Sequence, residues 1–164
     1  MTLTALYPGS FDPFTNGHLG IVERALCVVD HLIIAIATNS RKQPMFKVEE
    51  RMDMIQDIFH GNPKLSVCSF EGLTVNFAEK RGAKVIIRGL RAVADFEYEL
   101  QMANTNRKQN PNIETLFMMT AEEYFFVSSQ NVKEIARFGA NIQGLVPPSI
   151  ISRIQDKVKL LGQK

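Results

Sequence analysis

Four short stretches hold most of the side chains that could do chemistry. Tyr7-Pro8-Gly9-Ser10-Phe11-Asp12-Pro13-Phe14-Thr15-Asn16-Gly17-His18 follows one apolar run, and Thr38-Asn39-Ser40-Arg41-Lys42-Gln43-Pro44 follows a second. Arg88-Gly89-Leu90-Arg91 and Tyr124-Phe125-Phe126-Val127-Ser128-Ser129-Gln130 follow two more. Together they supply hydroxyls, guanidiniums, an ammonium and an imidazole, which are the donors an anion needs. His18 falls in the first turn of an expected helix, where unpaired backbone N–H groups form an anion site. Its ring can donate to a phosphate oxygen in either tautomer. Arg88 and Arg91 flank Gly89, which permits close backbone approach, and their forks match phosphate oxygens. Tyr124, Phe125 and Phe126 offer aromatic surface for a base, ahead of Ser128 and Ser129 at another helix start. Singly, each stretch also reads as an ordinary helix start, solvated turn, surface ion pair or cap. It is their common position after strands that points to a phosphate-rich ligand.

The elements that must position these residues are short and regular. Leu3–Tyr7, Leu32–Ala37, Leu65–Phe70, Lys84–Ile87 and Thr115–Met119 read as strands. Leu32-Ile33-Ile34-Ala35-Ile36-Ala37 is apolar at every position, so both of its faces need cover, as in a parallel sheet between helical layers. Val22, Ala25, Leu26 and Val29 keep helical spacing, with Asn16 as the expected N-cap. Further helices are expected through Val48, Met52, Ile55 and Phe59, and over Leu73–Arg81, Ala92–Lys108, Asn131–Phe138 and Pro148–Leu161. Gly82 and Gly139 are suited to end two of them. Alternating strands and helices predict one doubly wound, Rossmann-like α/β domain over residues 1–164, with five parallel strands, helices on both faces and helices at the C-terminal end. In such a sheet, ligands bind beyond the carboxyl ends of the strands, where the strand order reverses. The helix at Ala92–Lys108 has one apolar stripe at Phe96, Leu100 and Ala103 and another at Tyr98 and Met102. It is either buried deeply in its own subunit or in contact with a neighbouring chain.

Composition narrows the partners. The 164 residues are 45% hydrophobic and 22% charged, which is globular usage rather than disorder. A net charge of +2 is too small for a general basic field, so nucleic acid is not the expected partner. Two cysteines, Cys27 and Cys68, without a metal-like spacing, suit a reducing compartment, and no apolar run approaches a membrane span. A soluble, cytoplasmic protein is expected. There is neither a Gly-x-x-x-x-Gly-Lys-Ser/Thr loop nor a Gly-x-Gly-x-x-Gly fingerprint, so phosphate-loop hydrolases and dinucleotide dehydrogenases are disfavoured. No metal site is indicated by the spacing of acidic residues.

Thr15-Asn16-Gly17-His18 resembles the Thr/His-x-Gly-His signature of the nucleotidyltransferase superfamily, and Val127-Ser128-Ser129 its second signature. With Tyr7–Pro13, with Lys42 before Pro44-Met45-Phe46, and with the stretch Ile87 to Glu99, the chain is similar over almost its whole length to the bacterial phosphopantetheine adenylyltransferases. The resemblance implies that ATP and 4′-phosphopantetheine give dephospho-coenzyme A and pyrophosphate. It assigns Ser10, Lys42 and Arg88 to the phosphate of phosphopantetheine and the amide of Thr74 to the pantetheine arm. Ser10, Phe11, His18, Gly89, Leu90, Arg91, Glu99, Tyr124, Phe125, Phe126, Val127, Ser128, Ser129 and Gln130 are assigned to ATP. Ser10 stands where the family often has Thr, Tyr124 where it often has Trp, and Gln130 where it has a small hydroxyl residue.

The implied mechanism is in-line attack on the α-phosphorus with no covalent intermediate. Catalysis then rests on positioning two anions and stabilising charge, with His18, Lys42, Ser10 and Arg91 as the catalytic set. Glu99 is expected to orient an arginine or a ribose rather than to act as a base. Mg²⁺ is expected to arrive with ATP, coenzyme A is a candidate inhibitor, and the family's homohexamer suits the two-sided helix. The alternatives are a sister nucleotidyltransferase acting on nicotinamide mononucleotide or a phosphorylated alcohol, and a non-catalytic nucleotide-binding module. Release of pyrophosphate with each acceptor separates them.

Overall fold

Which strands lie side by side decides where a cleft can open. The computed structural model describes residues 2–38 and 43–162. In chain order these form β1 (Thr4–Gly9), α1 (Asn16–Ala25), β2 (His31–Ala37), α2 (Val48–Ile58), β3 (Leu65–Phe70) and α3 (Thr74–Lys80). They continue with β4 (Val85–Leu90), α4 (Val93–Gln109), β5 (Glu114–Met119), α5 (Ser129–Arg137) and α6 (Ile151–Gly162). The strands make one sheet in the order β3-β2-β1-β4-β5, and every neighbouring pair is parallel. This is the doubly wound α/β sheet that the alternation of elements predicted.

The sheet is buried from both sides. Leu32, Ile34 and Ile36 of β2 enter a core with Ile21 and Val22 of α1, Met54 and Ile55 of α2, Val132 of α5 and Ile154 of α6. Ile33 and Ala35 point the other way, into a smaller cluster with Val75 and Ala78 of α3. Alternate side chains of a strand face opposite sides. The unbroken apolar run of β2 therefore follows from having two layers to fill.

The strand order reverses between β1 and β4. These two strands pair only at Ala5–Val85 and Leu6–Ile86. Beyond that point β1 stays with β2 as far as Gly9–Ile36, and β4 stays with β5 as far as Leu90–Met119. A crevice opens between their carboxyl ends, as the crossovers to opposite faces require.

Several expected boundaries shift. β1 runs on through Pro8 and Gly9, and β4 through Arg88, Gly89 and Leu90, so these three residues are strand residues rather than a following loop. The ladder to β5 pairs all three, with Arg88 opposite Phe117 and Gly89 opposite Met118, and this outweighs the loop propensity of glycine. Thr15, not Asn16, caps α1. Asn16 instead donates its main-chain N–H to Leu145 O at 2.9 Å and its side-chain amide to Gly144 O at 2.8 Å. α5 begins at Ser129 because Ser128 caps it, and Pro148–Ile150 form a 3₁₀ turn ahead of α6. Gly82 and Gly139 follow α3 and α5 with φ of 69° and 72°, as helix-ending glycines do.

α4 is not buried deeply in its own subunit. Only Glu99 is buried along it, while Phe96, Tyr98, Leu100 and Met102 are 37–63% exposed. Leu116 and Met119 of the adjoining edge strand β5 are exposed as well.

Candidate active site

The first turn of α1 is built around a reciprocal contact. Thr15 Oγ1 accepts from the main-chain N–H of His18, while His18 Nδ1 accepts from the main-chain N–H of Thr15 at 3.0 Å. This is a capping box in which an imidazole takes the place usual for Glu or Gln. The contact settles the tautomer: a nitrogen that accepts carries no proton, so the N–H of neutral His18 is on Nε2. Burial, with Arg91 adding its positive charge, lowers the His18 pKa to about 4. At neutral pH the ring is an uncharged, singly oriented donor.

The ring is also packed in place. Phe11 lies edge-on to it at 5.1 Å between centroids, and Phe14 is 5.3 Å away. Phe11 has a φ of 48°, the left-handed region, which a non-glycine residue adopts at a cost of about 1–3 kcal/mol. Its ring is held against Tyr7 and Phe14 as well as His18. The fold-back needs Gly9, where a Cβ would come within 2.7 Å of the Phe11 ring. Gly9 therefore removes a clash, and the main chain from Gly9 to Phe11 lies along the crevice wall.

A cavity of about 440 Å³ fills the opening between β1 and β4. Ser10, Phe11, His18, Arg88, Gly89, Arg91, Glu99, Val127, Ser128, Ser129 and Gln130 all line it. Most of the expected nucleotide residues are thus gathered at one place. Leu90 and Tyr124–Phe126 do not line the cavity: Leu90 is buried, and Phe125 and Phe126 are 45% and 67% exposed. Lys42, with Asn39, Ser40 and Arg41, lies outside the described residues.

Arg88 is held by protein acceptors on two sides. Its Nε and Nη2 donate to the two carboxylate oxygens of Glu99, the first at 2.6 Å, and Nη1 donates to Pro8 O at 2.9 Å. Burial works against the guanidinium charge, but the Glu99 contact more than offsets it and raises the Arg88 pKa. Three of its five N–H groups are used, and two remain for a ligand. A smaller recess of about 60 Å³ continues from this point and is lined by Thr74, Arg88, Tyr98, Glu99 and Met102. Thr74 and Arg88, which are far apart in the chain, share that recess. Arg91 is held in the same manner by Asp95, through Nε at 3.1 Å and Nη2 at 3.2 Å.

The two helix starts are less open than their sequences suggest. In α1 the N–H of Asn16 goes to Leu145 and that of His18 to Thr15. The expected anion site narrows there to Gly17, whose N–H has no protein acceptor among the described residues. At α5, Ser128 Oγ accepts from Asn131 N at 3.0 Å, and Ser129 Oγ donates to Pro13 O at 2.8 Å. The Ser129 hydroxyl proton and the Asn131 N–H are therefore committed, which leaves the main-chain N–H groups of Ser129 and Gln130 to meet an anion.

Three residues at or beside the cleft have no assigned role in the sequence analysis. Tyr7 is buried between the sheet and Phe11, and burial pushes its phenol pKa well up. Arg51 of α2 donates through Nη1 to Ser10 O at 2.6 Å. Asp12 accepts from Met45 N and Phe46 N, each at 2.9 Å, and from Lys133 Nζ at 3.0 Å. Asp12 is visible in the Ser-Phe-Asp-Pro motif. Its partners are too distant in sequence to be foreseen.

Residues 6–135 match the model of the Cytidylyltransferase-like family. Over 158 residues the chain is 51% identical to the phosphopantetheine adenylyltransferase of Anaeromyxobacter dehalogenans, covering 96% of each protein. The protein of that name from Carboxydothermus hydrogenoformans is also 51% identical, over 96% of this chain and 98% of its own length. That of Syntrophus aciditrophicus is 47% identical, over 99% of both. The chain belongs to the phosphopantetheine adenylyltransferase family. It is a nucleotidyltransferase of coenzyme A biosynthesis, and this adenylyltransferase presents its donors at the point where the sheet order reverses.

The His18 geometry carries a pH signature in the enzyme. Its folded pKa lies below the ordinary 6.5, so between pH 6.5 and about 4 the unfolded chain binds a proton that the folded one refuses. The stability due to neutral His18 is complete above pH 6.5 and is lost as pH falls toward 4. His18→Gln keeps a capping side chain but cannot titrate. Urea unfolding between pH 7 and 4 should show a steeper loss of stability in the wild type than in this variant. Parallel curves for the two proteins would refute the shift.

Proposed function

We propose that the cleft transfers the adenylyl group of ATP directly to 4′-phosphopantetheine, giving dephospho-coenzyme A and pyrophosphate. The observation that carries this reading is the convergence of His18, Arg88, Arg91, Ser10 and the start of α5 around one cavity beyond β1 and β4. A phosphate monoester is an adequate nucleophile near neutral pH, so no strong base is needed. The work left to the protein is to hold two anions in line and to stabilise charge on the α-phosphate.

In this reading Nε2–H of His18 donates to the α-phosphate in the transition state. A neutral donor with a fixed tautomer costs no reorganisation when the charge develops. Arg91 and the main-chain N–H groups of α5 neutralise the β- and γ-phosphates. Arg88, with Ser10 and Lys42, holds the phosphate of phosphopantetheine, and the pantetheine arm follows the recess toward Thr74. Glu99 acts by aiming Arg88. Mg²⁺ arrives with ATP as the counter-ion of its phosphates. No step is assigned to the ion.

Coenzyme A carries the same pantetheine arm as the product and would compete for that recess. The cytoplasm is the proposed compartment, which the unpaired thiols of Cys27 and Cys68 support. Among the described residues no helix is long and apolar enough to cross a membrane. The exposed apolar residues of α4 and β5 support assembly with further copies of the chain, and the proposed state is a homohexamer.

Incubation with Mg-ATP and phosphopantetheine should release pyrophosphate and form dephospho-coenzyme A, whereas nicotinamide mononucleotide should not replace the acceptor. His18→Ala should lower kcat on the order of 10²–10³-fold, as expected for loss of one transition-state donor. A variant with near-normal turnover would exclude the assigned role. Arg88→Ala and Glu99→Gln should both raise KM for phosphopantetheine by more than tenfold, about 1.4 kcal/mol, while KM for ATP changes little. A rise confined to ATP would put both residues on the nucleotide. Light scattering should give a mass six times that of the chain, and Tyr98→Glu with Leu100→Glu should reduce it. A monomeric wild type would end the assembly proposal.

A further inference from the structure

The ion pair between Asp12 and Lys133 lies beside the cleft and does not line it. Both side chains are largely buried, at 7% and 16% exposure. Asp12 belongs to the loop between β1 and α1, two residues after Ser10. One of its oxygens accepts from Phe46 N, and the other from both Met45 N and Lys133 Nζ. Met45 and Phe46 lie on the segment that enters α2, while Lys133 is on the second turn of α5. A single carboxylate therefore joins three separate parts of the chain.

Two further contacts brace the same junction. Arg51, in α2, donates to Ser10 O at 2.6 Å, and Ser129, at the start of α5, donates to Pro13 O at 2.8 Å. A second cavity of about 400 Å³ adjoins the first, and Ser10, Ser129 and Gln130 line both. Asp12, Arg51 and Lys133 line only the second. The pair thus sits where the wall that carries Ser10 meets the wall formed by the start of α5.

We infer that Asp12 and Lys133 are positioning residues for adenylyl transfer, fixing the distance between the Ser10 loop and the N-terminus of α5. This rests on the functional reading above. In that reading the two walls hold different reactants: Ser10 faces the attacking phosphate, and α5 faces the leaving pyrophosphate. In-line attack needs both within a narrow geometry, and a displacement of about 1 Å can cost on the order of 10²-fold in rate. A spacing defect has a distinctive signature. Each reactant still finds its own wall, so both KM values persist, while the aligned arrangement is rarer and kcat falls.

The test is steady-state kinetics on the full-length protein with ATP and phosphopantetheine varied separately, alongside thermal melting. Lys133→Met removes the ammonium and leaves Asp12 its two main-chain donors. It should lower kcat by about 30–100-fold with both KM values within about threefold of wild type. Lys133→Arg can still reach Asp12 and should recover at least tenfold of that loss. Should Lys133→Met fail to fold, Lys133→Gln leaves both Asp12 oxygens to their main-chain donors while removing the charge, and the same loss in kcat is expected. A kcat within threefold of wild type in the folded variant overturns the inference. So does a loss carried by KM, or an equal loss in the arginine and methionine variants. Wild-type protein that forms no pyrophosphate from the two substrates defeats the functional reading itself. An active wild type with an indifferent Lys133→Met defeats only the positioning role.

Discussion

Two parallel strands that send their chains to opposite faces of a sheet cannot remain paired to their ends with a loop between them. β1 and β4 meet at only two residue pairs before each continues with its outer neighbour alone. That loss of pairing makes the cleft, and most of the candidate site residues are arranged around it. The main chain from Gly9 to Phe11 forms one side. Arg88 and Gly89 form the other, and helices α1 and α5 aim their first turns across the top. The sheet below is packed on both of its faces.

Charge is handled in two ways across this space. The arginines are permanently charged and each is tied to a carboxylate, Arg88 to Glu99 and Arg91 to Asp95. These carboxylates set direction at the expense of net positive charge, which suits a site that must release a highly anionic product. His18 contributes no charge at neutral pH. Its imidazole is oriented by the backbone of its own helix cap, so the sequence Thr-x-x-His is at once a structural and a chemical instruction.

Much of this was legible in the residues. The unbroken apolar run of β2 announced a sheet covered on both sides, and glycines 82 and 139 marked helix ends because the chain turns left-handed there. The donor-bearing stretches were readable as strand ends, which brought Ser10, His18, Arg88 and Arg91 together correctly. What escaped were contacts set by tertiary proximity. Asp12 and Lys133 are 121 positions apart, and nothing local pairs them. Pro8 and Gly89 look like loop residues, yet they extend strands because neighbouring ladders take up their backbone groups. The Thr15–His18 cap had a usable signal, the capping-box spacing, hidden by a histidine where Glu or Gln is usual.

Glu99 gives α4 a reach beyond its own surface. The helix stands partly outside the subunit, with aromatic and aliphatic side chains uncovered, yet its one buried residue is the counter-ion of the innermost arginine in the cleft. A shift of this helix along β4 and β5 would be felt at the guanidinium through a single two-pronged bridge. On the proposed function, in which α4 packs against further copies and Arg88 holds the acceptor, quaternary contacts and acceptor affinity would be mechanically linked through Glu99.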